Sequence, residues 1–429
     1  MFYVLLALFF VLGAGVVLYA QGWRLDLATW RAEKVGAIYV RSFPADAHIT
    51  LNGVPITNQS GFLSRGTFVS ELFPRTYSLI LKKNGYLDWH ENAAVLPSFV
   101  TEFKYAVLVP SAPTAIATGT VKDFFVASGE TVTQTPDGAI QWRGKTVARG
   151  NIISESTDLK TMLLQNATTG VASLYNFNTQ ISTILPTVFW KNNATIDPYD
   201  DTDAIATNGQ TFFLFDGVTA TTSAIGRAGK GELFGTASAT SPTSIAWTEF
   251  RNTSGTTAVI LYDRFAKTIL ESSSTLPGQT RALAWIAGNR WGALQNDGSL
   301  YIYDANAGQF KKLADDVRMF TAATDSSAIA ALETKSIEIL PLTDAQTYHR
   351  FNLPDVANTT ELMWYHDANH LFVVSPGSVS LLDLDDLGLR NFVKVSDTAF
   401  GTNPIYKPDQ NVLYLINPAQ KLTQFDFSS

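Results

Sequence analysis

Two histidines stand four residues apart in the stretch His366-Asp-Ala-Asn-His370. On a helix this spacing places both imidazoles on one face, where they can bind zinc. The flanking runs Leu362–Tyr365 and Leu371–Val374 are apolar and strand-like, so the stretch between them is predicted to be a hairpin turn. An Asp also stands where the metalloprotease pattern has Glu. The turn interpretation is preferred, and His366 and His370 are kept as candidate metal ligands.

A second candidate site is acidic. The stretch Asp197-Pro-Tyr-Asp-Asp-Thr-Asp203 offers the carboxylates of Asp197, Asp200, Asp201 and Asp203. Calcium prefers several oxygen ligands on one loop, so these side chains are candidate calcium ligands. The glycine that lets a calcium loop turn sharply is missing, and an ordinary polar turn is the alternative.

Motifs for other chemistry are missing from the sequence. The chain contains no Gly-x-Ser-x-Gly motif, and its cysteine count is 0, which excludes disulfides and thiolate metal sites. Paired carboxylates for glycoside cleavage cannot be found by spacing when they come from different repeats. Most Trp and Tyr residues lie in strand patterns, which favours core packing over a sugar-stacking surface. We therefore predict no catalytic residue and no cofactor.

Charge excludes one class of partner. The chain has 31 Lys and Arg against 38 Asp and Glu, a net charge of -7, which argues against nucleic acid. Only 16% of the residues are charged, compared with roughly 25% in an ordinary soluble domain. The absence of cysteine does not decide the compartment.

The first twenty residues predict a membrane span. Residues 2–20 carry no charged side chain, and about 20 apolar residues suffice to cross the hydrocarbon core. Tyr3, Tyr19 and Trp23 are placed as interfacial aromatics. A cleaved signal peptide is the alternative, but Leu18 stands where a cleavage site needs a small residue. We assign residues 1–22 to a transmembrane anchor, with the lipid bilayer as partner.

Residues 23–35 form a predicted juxtamembrane segment, for which a helix is one option. Trp23, Trp30 and Arg31 are expected at headgroup depth. The nearest basic residues, among them Arg24 and Lys34, all follow the span. The positive-inside rule taken alone would place the large C-terminal part in the cytoplasm.

Beyond residue 36 the hydrophobic period changes to two, which is typical of strands. Asn52-Gly53 lies between two strand-like runs and predicts a tight hairpin. Tyr77–Leu81 is another alternating strand, and the strand Phe99–Val109 precedes a Pro-rich linker at Pro110. Residues 36–109 are therefore predicted to be one compact β unit.

Four motifs in this unit occur in the order found in a known family. They are Ser42-Phe-Pro-Ala-Asp-Ala47, Ile49-x-Leu-Asn-Gly53, Leu72-Phe-Pro-x-x-Tyr77 and Lys82-Lys-Asn-Gly-Tyr-x-x-Trp89. On these residues the unit resembles the PEGA domain, which implies a small β-sandwich of prokaryotic surface and envelope proteins. Two features depart from the family: Arg75 replaces a glycine, and a Thr-Pro pair is missing near Thr57.

The segment Leu18–Trp23 is also similar to the anchor exit of bacterial proteins that carry this domain. Those proteins hold their folded part outside the cytoplasm. This resemblance implies the same orientation here, and we prefer it to the orientation that the basic residues indicate.

The remainder, residues 110–429, is built from repeats of one strand motif. The copies are Ala139–Trp142, Ala172–Phe177, Thr211–Asp216, Ala258–Asp263, Ser299–Asp304, Ser336–Leu340, Val379–Asp383 and Lys421–Asp426. Their spacing of about 35 to 47 residues matches one four-stranded propeller blade. In the repeat that covers residues 281–313, four strands can be assigned, and the motif copy is the third.

The number of motif copies predicts eight blades, with seven as the alternative. The last repeat stops after its third strand, near Phe427, so its fourth strand must come from residues around Lys104–Val109 or shortly after. The predicted fold class is thus all-β: a transmembrane helix, a PEGA-like sandwich and a propeller.

For function, the sequence favours a non-catalytic binding or scaffold protein of the cell envelope, with an envelope protein or cell-wall glycan as partner. The alternatives are an envelope hydrolase of glycans or peptides, with acidic residues at the mouth of the propeller, and a cytoplasmic-facing assembly module.

Overall fold

The computed structural model describes residues 2–27, 29–60, 65–117, 119–127, 130–156, 160–191, 193–197, 199–229, 232–342, 349–353, 356–385 and 392–428. For residues 127, 191, 193, 201 and 232–237 this description covers the backbone alone.

The chain begins with one long apolar helix, α1 (Phe2–Ala20), none of whose residues is buried against the rest of the protein. It is long and apolar enough to cross a membrane. Two short strands follow, β1 (Trp23–Asp26) and β2 (Arg31–Lys34), and they pair antiparallel. The juxtamembrane segment is thus a hairpin and not the helix considered from the sequence. Gly22 adopts φ 86°, which ends α1 directly before this hairpin.

Seven strands form two sheets packed face to face. They are β3 (Gly36–Phe43), β4 (His48–Leu51), β5 (Val54–Ile56), β6 (Thr67–Leu72), β7 (Thr76–Lys82), β8 (Trp89–Ala94) and β9 (Val100–Val107). One sheet has the order β6-β3-β9 and the other β5-β4-β7-β8. Alternate residues point inward, among them Ile38, Leu79 and Phe103, and they share one buried core. Asn52 and Gly53 both have positive φ, as the predicted hairpin turn requires.

Eight four-stranded units follow, and we number them blades 1 to 8 in chain order. Strand β10 (Thr114–Ala115) precedes them. The strands of blades 1 to 4 are β11 (Asp123–Ala127), β12 (Glu130–Gln134), β13 (Ala139–Trp142), β14 (Lys145–Arg149), β15 (Asn151–Glu155), β16 (Thr161–Gln165), β17 (Ala172–Asn176), β18 (Ile181–Ile184), β19 (Asn193–Asp197), β20 (Asp200–Thr207), β21 (Thr211–Asp216), β22 (Thr221–Arg227), β23 (Glu232–Thr240), β24 (Ser244–Arg251), β25 (Thr256–Asp263) and β26 (Ile269–Glu271). A two-residue strand, β27 (Leu276–Pro277), also pairs with β25.

The strands of blades 5 to 8 continue the pattern. They are β28 (Thr280–Ala287), β29 (Arg290–Gln295), β30 (Leu300–Asp304), β31 (Gln309–Ala314), β32 (Val317–Ala322), β33 (Ala328–Glu333), β34 (Ile337–Pro341), β35 (His349–Phe351), β36 (Glu361–Trp364), β37 (His370–Ser375), β38 (Ser378–Asp383), β39 (Phe392–Asp397), β40 (Ile405–Lys407), β41 (Val412–Ile416) and β42 (Leu422–Asp426). Helix α2 (Val188–Lys191) and a 3₁₀ turn (Val356–Asn358) interrupt the strands. Every predicted motif copy is the third strand of a blade, so the all-β propeller with eight blades is confirmed.

Blade 8 is completed from the other end of the propeller segment. Its first three strands are β40, β41 and β42, and its fourth is β10, in which Thr114 pairs with Gln424 and Ala115 with Thr423. The closing strand therefore lies shortly after the Lys104–Val109 stretch, within the range that the sequence predicts. Because this pairing joins both ends of the propeller segment, it fixes the ring against opening at blade 8.

Hydrophobic clusters join each blade to the next. The cluster between blades 1 and 8 contains Phe124 and Leu422, and the cluster between blades 7 and 8 contains Phe372 and Leu413. The remaining six interfaces have equivalent clusters. Each blade thus buries both faces, which an isolated four-stranded sheet cannot do.

The sandwich packs directly on blades 7 and 8. Val107 and Val109 belong to the same buried cluster as Tyr365 and Phe427 of the propeller. The backbone N–H of Leu87 donates to the carbonyl of Val109 at 2.8 Å. The end of the sandwich therefore continues into the core of the ring.

Candidate functional site

The turns that hold the candidate metal ligands lie on one face of the ring. In an antiparallel blade, the turns between strands one and two and between strands three and four point to the same side. We call this side the lower face. The acidic turn joins β19 to β20 in blade 3, and the histidine turn joins β36 to β37 in blade 7.

In blade 3, Asp197 is completely buried and forms an ion pair with Arg264. Arg264 belongs to the turn that leaves β25 in blade 4, so the pair joins two neighbouring blades. The other carboxylate oxygen, Oδ1, accepts a hydrogen bond from the N–H of Tyr199 at 3.0 Å. The Asp197 carboxylate therefore has a permanent cation and a turn amide as partners.

The other carboxylates of the acidic stretch have separate partners. Asp200 accepts from the N–H and the hydroxyl of Thr202, at 3.1 and 2.8 Å. Asp203 accepts from the N–H of Gly217 at 3.1 Å, and burial raises its pKa to about 6 although this hydrogen bond opposes the rise. The side chain of Asp201 lies outside the described part of the structure.

In blade 7, the stretch His366–His370 is a hairpin turn in which Ala368 adopts φ 54°. His370 is 2% exposed, and its two ring nitrogens face two carboxylates. Nδ1 lies 2.9 Å from Oδ2 of Asp367, and Nε2 lies 3.8 Å from Oδ2 of Asp383. Nδ1 of His366 is 3.1 Å from the hydroxyl of Tyr406 in blade 8.

The three buried groups of blade 7 shift one another's pKa. Burial alone would lower the pKa of His370, but the hydrogen bond and charge of Asp367, together with the charge of Asp383, outweigh it and raise that pKa. Burial acts to raise the pKa of Asp367, and the His370 hydrogen bond overcomes it, so this pKa is lowered. Burial raises the pKa of Asp383 to about 6. The two carboxylates therefore favour the protonated form of His370, which is buried away from solvent.

The two predicted ligand groups do not form one site. Blades 3 and 7 are four apart in a ring of eight, so the acidic turn and the histidine turn lie on opposite sides of the lower face. Within the described ranges, no group of three or more His, Cys, Asp or Glu side chains could hold a metal ion. Each predicted residue whose side chain the structure describes instead has its own local partner.

The strands around the centre of the ring each contain one charged residue. First strands of neighbouring blades contact one another, as between β11 and β40, which places the first strands around the central opening. Each first strand carries one charged residue: Asp123, Glu155, Asp197, Glu232, Arg281, Arg318, Glu361 and Lys407. The signal was present in the sequence, because one charge recurs in an otherwise apolar or neutral first strand of every repeat.

Two of these cations connect neighbouring blades through hydrogen bonds. The guanidinium of Arg281 donates to the carbonyl of Val317 at 2.6 Å, and that of Arg318 donates to the carbonyl of Ala357 at 2.8 Å. Blades 5, 6 and 7 are thus connected at the starts of their first strands. These arginines have a structural role that accounts for their positions.

Glu155 has the titration behaviour expected of a proton donor. Burial raises its pKa to about 7, against the opposing charge of Lys407 in blade 8, and the charge of Asp123 adds to the rise. Burial also lowers the pKa of Lys407. A carboxyl group that is half protonated at neutral pH can act as a general acid.

A cavity of about 530 Å³ lies between blades 6 and 7. Its polar lining residues are neutral: Asn358, Thr359, Ser375, Ser378 and Ser380. Its size is within the range of small-molecule sites, roughly 300–1,000 Å³. It lies away from the lower-face turns, and its lining comes from the connection between the two blades and from blade 7.

Comparisons with known proteins identify the fold and no family. No protein-family model matches the chain, and no curated protein matches its sequence. Similar solved structures include an oligogalacturonate lyase in complex with manganese, 12% identical, with a TM-score of 0.50, covering 74% of this chain and 98% of that one. Another is an oligogalacturonate lyase of Vibrio parahaemolyticus, 13% identical, with a TM-score of 0.50, covering 73% of this chain and 98% of that one. At such identities the likeness concerns the propeller fold alone.

Proposed function

We propose that this chain is a single-pass protein of the cell envelope, whose PEGA-like sandwich carries the propeller outside the cytoplasm as a binding platform. Helix α1 is the anchor, and an envelope protein or a cell-wall glycan is the partner. The observation that carries the proposal is the arrangement of reactive side chains. The described carboxylates of the acidic stretch and the two imidazoles of the histidine turn are half a ring apart, and each is engaged by a neighbouring group.

The anchor is supported by the way α1 joins the sandwich. Arg24 donates to the carbonyl of Tyr19 and to the carboxylate of Glu71, both at 2.8 Å, so it ties the end of α1 to strand β6. The N–H of Val35 donates to the carbonyl of Gly22, and the N–H of Ser98 donates to the carbonyl of Val35. These hydrogen bonds therefore hold the sandwich close to the C-terminal end of α1, although the hairpin lies between them in the chain.

Exposed apolar side chains gather at this junction. Trp30 in the hairpin is 78% exposed, and Phe99, next to Ser98, is 66% exposed. Aromatic side chains in this position match the interfacial belt of a bilayer. In nanodiscs with brominated lipids, we expect less fluorescence quenching for Trp30→Phe than for the parent protein. Equal quenching would contradict the bilayer contact.

The orientation can be tested because the chain has 0 cysteines. Ser182 lies on the exposed fourth strand of blade 2, so Ser182→Cys adds one accessible thiol. We expect an impermeant maleimide to label this variant in intact cells. Labelling only after lysis would support the cytoplasmic-facing module instead.

An envelope hydrolase is the second candidate function, and Glu155 favours it. Its pKa of about 7 suits a general acid, and Asp123 of blade 1 is near enough for its charge to act on it. In this mechanism Glu155 would protonate a leaving group, and a second carboxylate would complete the reaction. The fold likeness adds oligogalacturonate to the substrates that should be tried.

One experiment separates the two functions. The full-length protein in nanodiscs is incubated with wall glycans, wall peptides and oligogalacturonate, and the bound and free fractions are analysed by mass spectrometry. We expect a partner recovered intact, with the same result for Glu155→Gln. Release of product that disappears in Glu155→Gln, while Glu130→Gln retains it, would replace the binding function with the hydrolase. Glu130 is the matched control because it lies in an exposed pair with Arg143.

A further inference from the structure

The cavity between blades 6 and 7 lies beside a small residue in a repeated position. The third strands of blades 3, 4, 5, 7 and 8 end in an Asp, and the residue three positions earlier is Phe213, Ile260, Tyr301, Ser380 and Thr423 respectively. Phe213, Ile260 and Tyr301 pack in the clusters toward the preceding blade. Ser380 cannot fill that volume, so a cavity of about 530 Å³ is left beside it.

The polar groups of the cavity are hydroxyls and an amide. Thr359 is 1% exposed, and its hydroxyl oxygen has no hydrogen-bond partner within the described ranges. A buried polar atom without a partner costs about 1–3 kcal/mol. A ligand that hydrogen-bonds to this hydroxyl would recover that energy. Ser375 and Ser378 add further hydroxyls at the end of the same blade.

Apolar side chains form the rest of the wall. Leu353 and Val356 come from the connection between the two blades, and Phe392 comes from the fourth strand of blade 7. The lining residues that the structure describes carry no charge. An aromatic ring beside neutral hydroxyls suits the apolar faces and the hydroxyl groups of a sugar ring.

We propose that this cavity binds one sugar unit of an uncharged glycan. The proposal rests on the proposed function, since it supplies the recognition site of the binding platform. Ser375, Ser378 and Thr359 would hydrogen-bond to the sugar hydroxyls, and Phe392 would contact the ring. Because the described part of the lining is neutral, acidic sugars gain no counter-charge from it.

The test fills the cavity in the full-length protein. Ser380→Tyr introduces the residue that blade 5 has at the equivalent position, so the blade is expected to fold. Ser182→Tyr, on an exposed outer strand, is the control. Saturation-transfer NMR would measure binding of the hexasaccharides of glucose and of N-acetylglucosamine, with trigalacturonate as the anionic probe. We expect a neutral probe to bind, at least ten-fold weaker binding in Ser380→Tyr, and no change in Ser182→Tyr.

Thr359→Val provides a second variant that keeps the shape of the cavity and removes the unpartnered hydroxyl. It should weaken binding several-fold, whether or not Ser380→Tyr folds. Unchanged binding in either folded variant, or a preference for trigalacturonate, would overturn the proposal.

If no neutral probe binds but an envelope protein is captured intact, the cavity proposal fails and the binding platform stands. If a neutral probe binds and is cleaved, the cavity proposal stands and the non-catalytic function fails.

Discussion

The first turns of blade 3 and blade 7 occupy equivalent positions on the lower face, half a ring apart, and both bury charge. Blade 3 buries Asp197 and pairs it with Arg264 from the next blade. Blade 7 buries His370 between Asp367 and Asp383, which belong to the same blade. The first pair joins two blades through a cation that is always charged, whereas the second cluster depends on a histidine whose pKa is raised by its carboxylate neighbours.

This difference shows that similar sequence signals have different physical roles. Both turns are rich in potential metal ligands, but in each the charges are satisfied by their neighbours. The blade 3 pair should therefore contribute to ring integrity at any physiological pH. The blade 7 cluster should make one part of the ring sensitive to pH.

The largest expected effect is that of removing the blade 3 cation. Arg264→Met leaves Asp197 buried without a cation, and losing one partner of a buried pair costs about 3–5 kcal/mol. Denaturant unfolding of the full-length protein measures the change. Arg149→Met is the control, because Arg149 and Asp137 form a pair that is largely exposed, so that solvent screens it and a much smaller loss is expected. Equal losses in the two variants would contradict the role of the buried pair.

A smaller loss is expected from Asp367→Asn in blade 7. Asn keeps the shape of Asp and can still accept a hydrogen bond, but it lacks the carboxylate charge, and hydrogen bonds to charged groups are worth about 1.5–3 kcal/mol. The His370 ring keeps Asp383 as a nearby charge, so the loss should be smaller than in Arg264→Met. A loss as large as that of Arg264→Met would show that the two turns respond alike.

The pH dependence distinguishes the turns without mutation. The folded-state pKa of His370 is raised above its ordinary value of 6.5, so its stabilisation is fully present below pH 6.5 and is lost as pH rises through the raised pKa. Asp383, with its pKa raised to about 6, changes stability in the same direction between its ordinary value of 3.8 and pH 6.

Hydrogen exchange measured at pH 6 and pH 8, and corrected for the intrinsic rate, tests this expectation. Exchange at residues 365–370 should be several-fold faster at pH 8, while exchange at the blade 3 turn should change less, because the Asp203 pKa of about 6 places the loss of its proton mainly below this pH range. Asp367→Asn should reduce the difference in blade 7. The same increase in exchange rate in both turns would contradict the predicted difference in their pH dependence.

The smallest effect is expected for Asp200→Asn. Asp200 lies in the acidic stretch, but its partners are the amide and hydroxyl of Thr202, close to solvent. Loss of one charge there should change the free energy of unfolding by about 0.5 kcal/mol or less. Thermal unfolding of this variant next to Arg264→Met measures the contrast, and comparable destabilisation would indicate a shared site such as a bound cation.

Much of the fold could be predicted because its signals are local. The third-strand motif recurs at every blade, since each blade buries the same two faces against its neighbours. The turn at Asn52-Gly53 was predictable because its backbone requires positive φ. The juxtamembrane hairpin was not predicted, because β1 and β2 are short and their pairing depends on the turn around Trp30, which also adopts positive φ.

The candidate site was less predictable, because its residues come from different blades. Spacing brought the acidic stretch and the histidine pair to attention, but it could not show that Arg264 would reach Asp197 from 67 residues away. Glu155 and Lys407 were likewise missed, because only ring closure brings blades 2 and 8 near each other.

By itself, the sequence determined the apolar helix, the strand periods and the repeat that makes a ring of blades, because these follow from local patterns of burial and turn chemistry. Tertiary structure alone decided which charges meet, which strand completes blade 8 and where a cavity lies. Those outcomes depend on contacts between residues far apart in the chain, and a local pattern carries no information about which distant partner will face it.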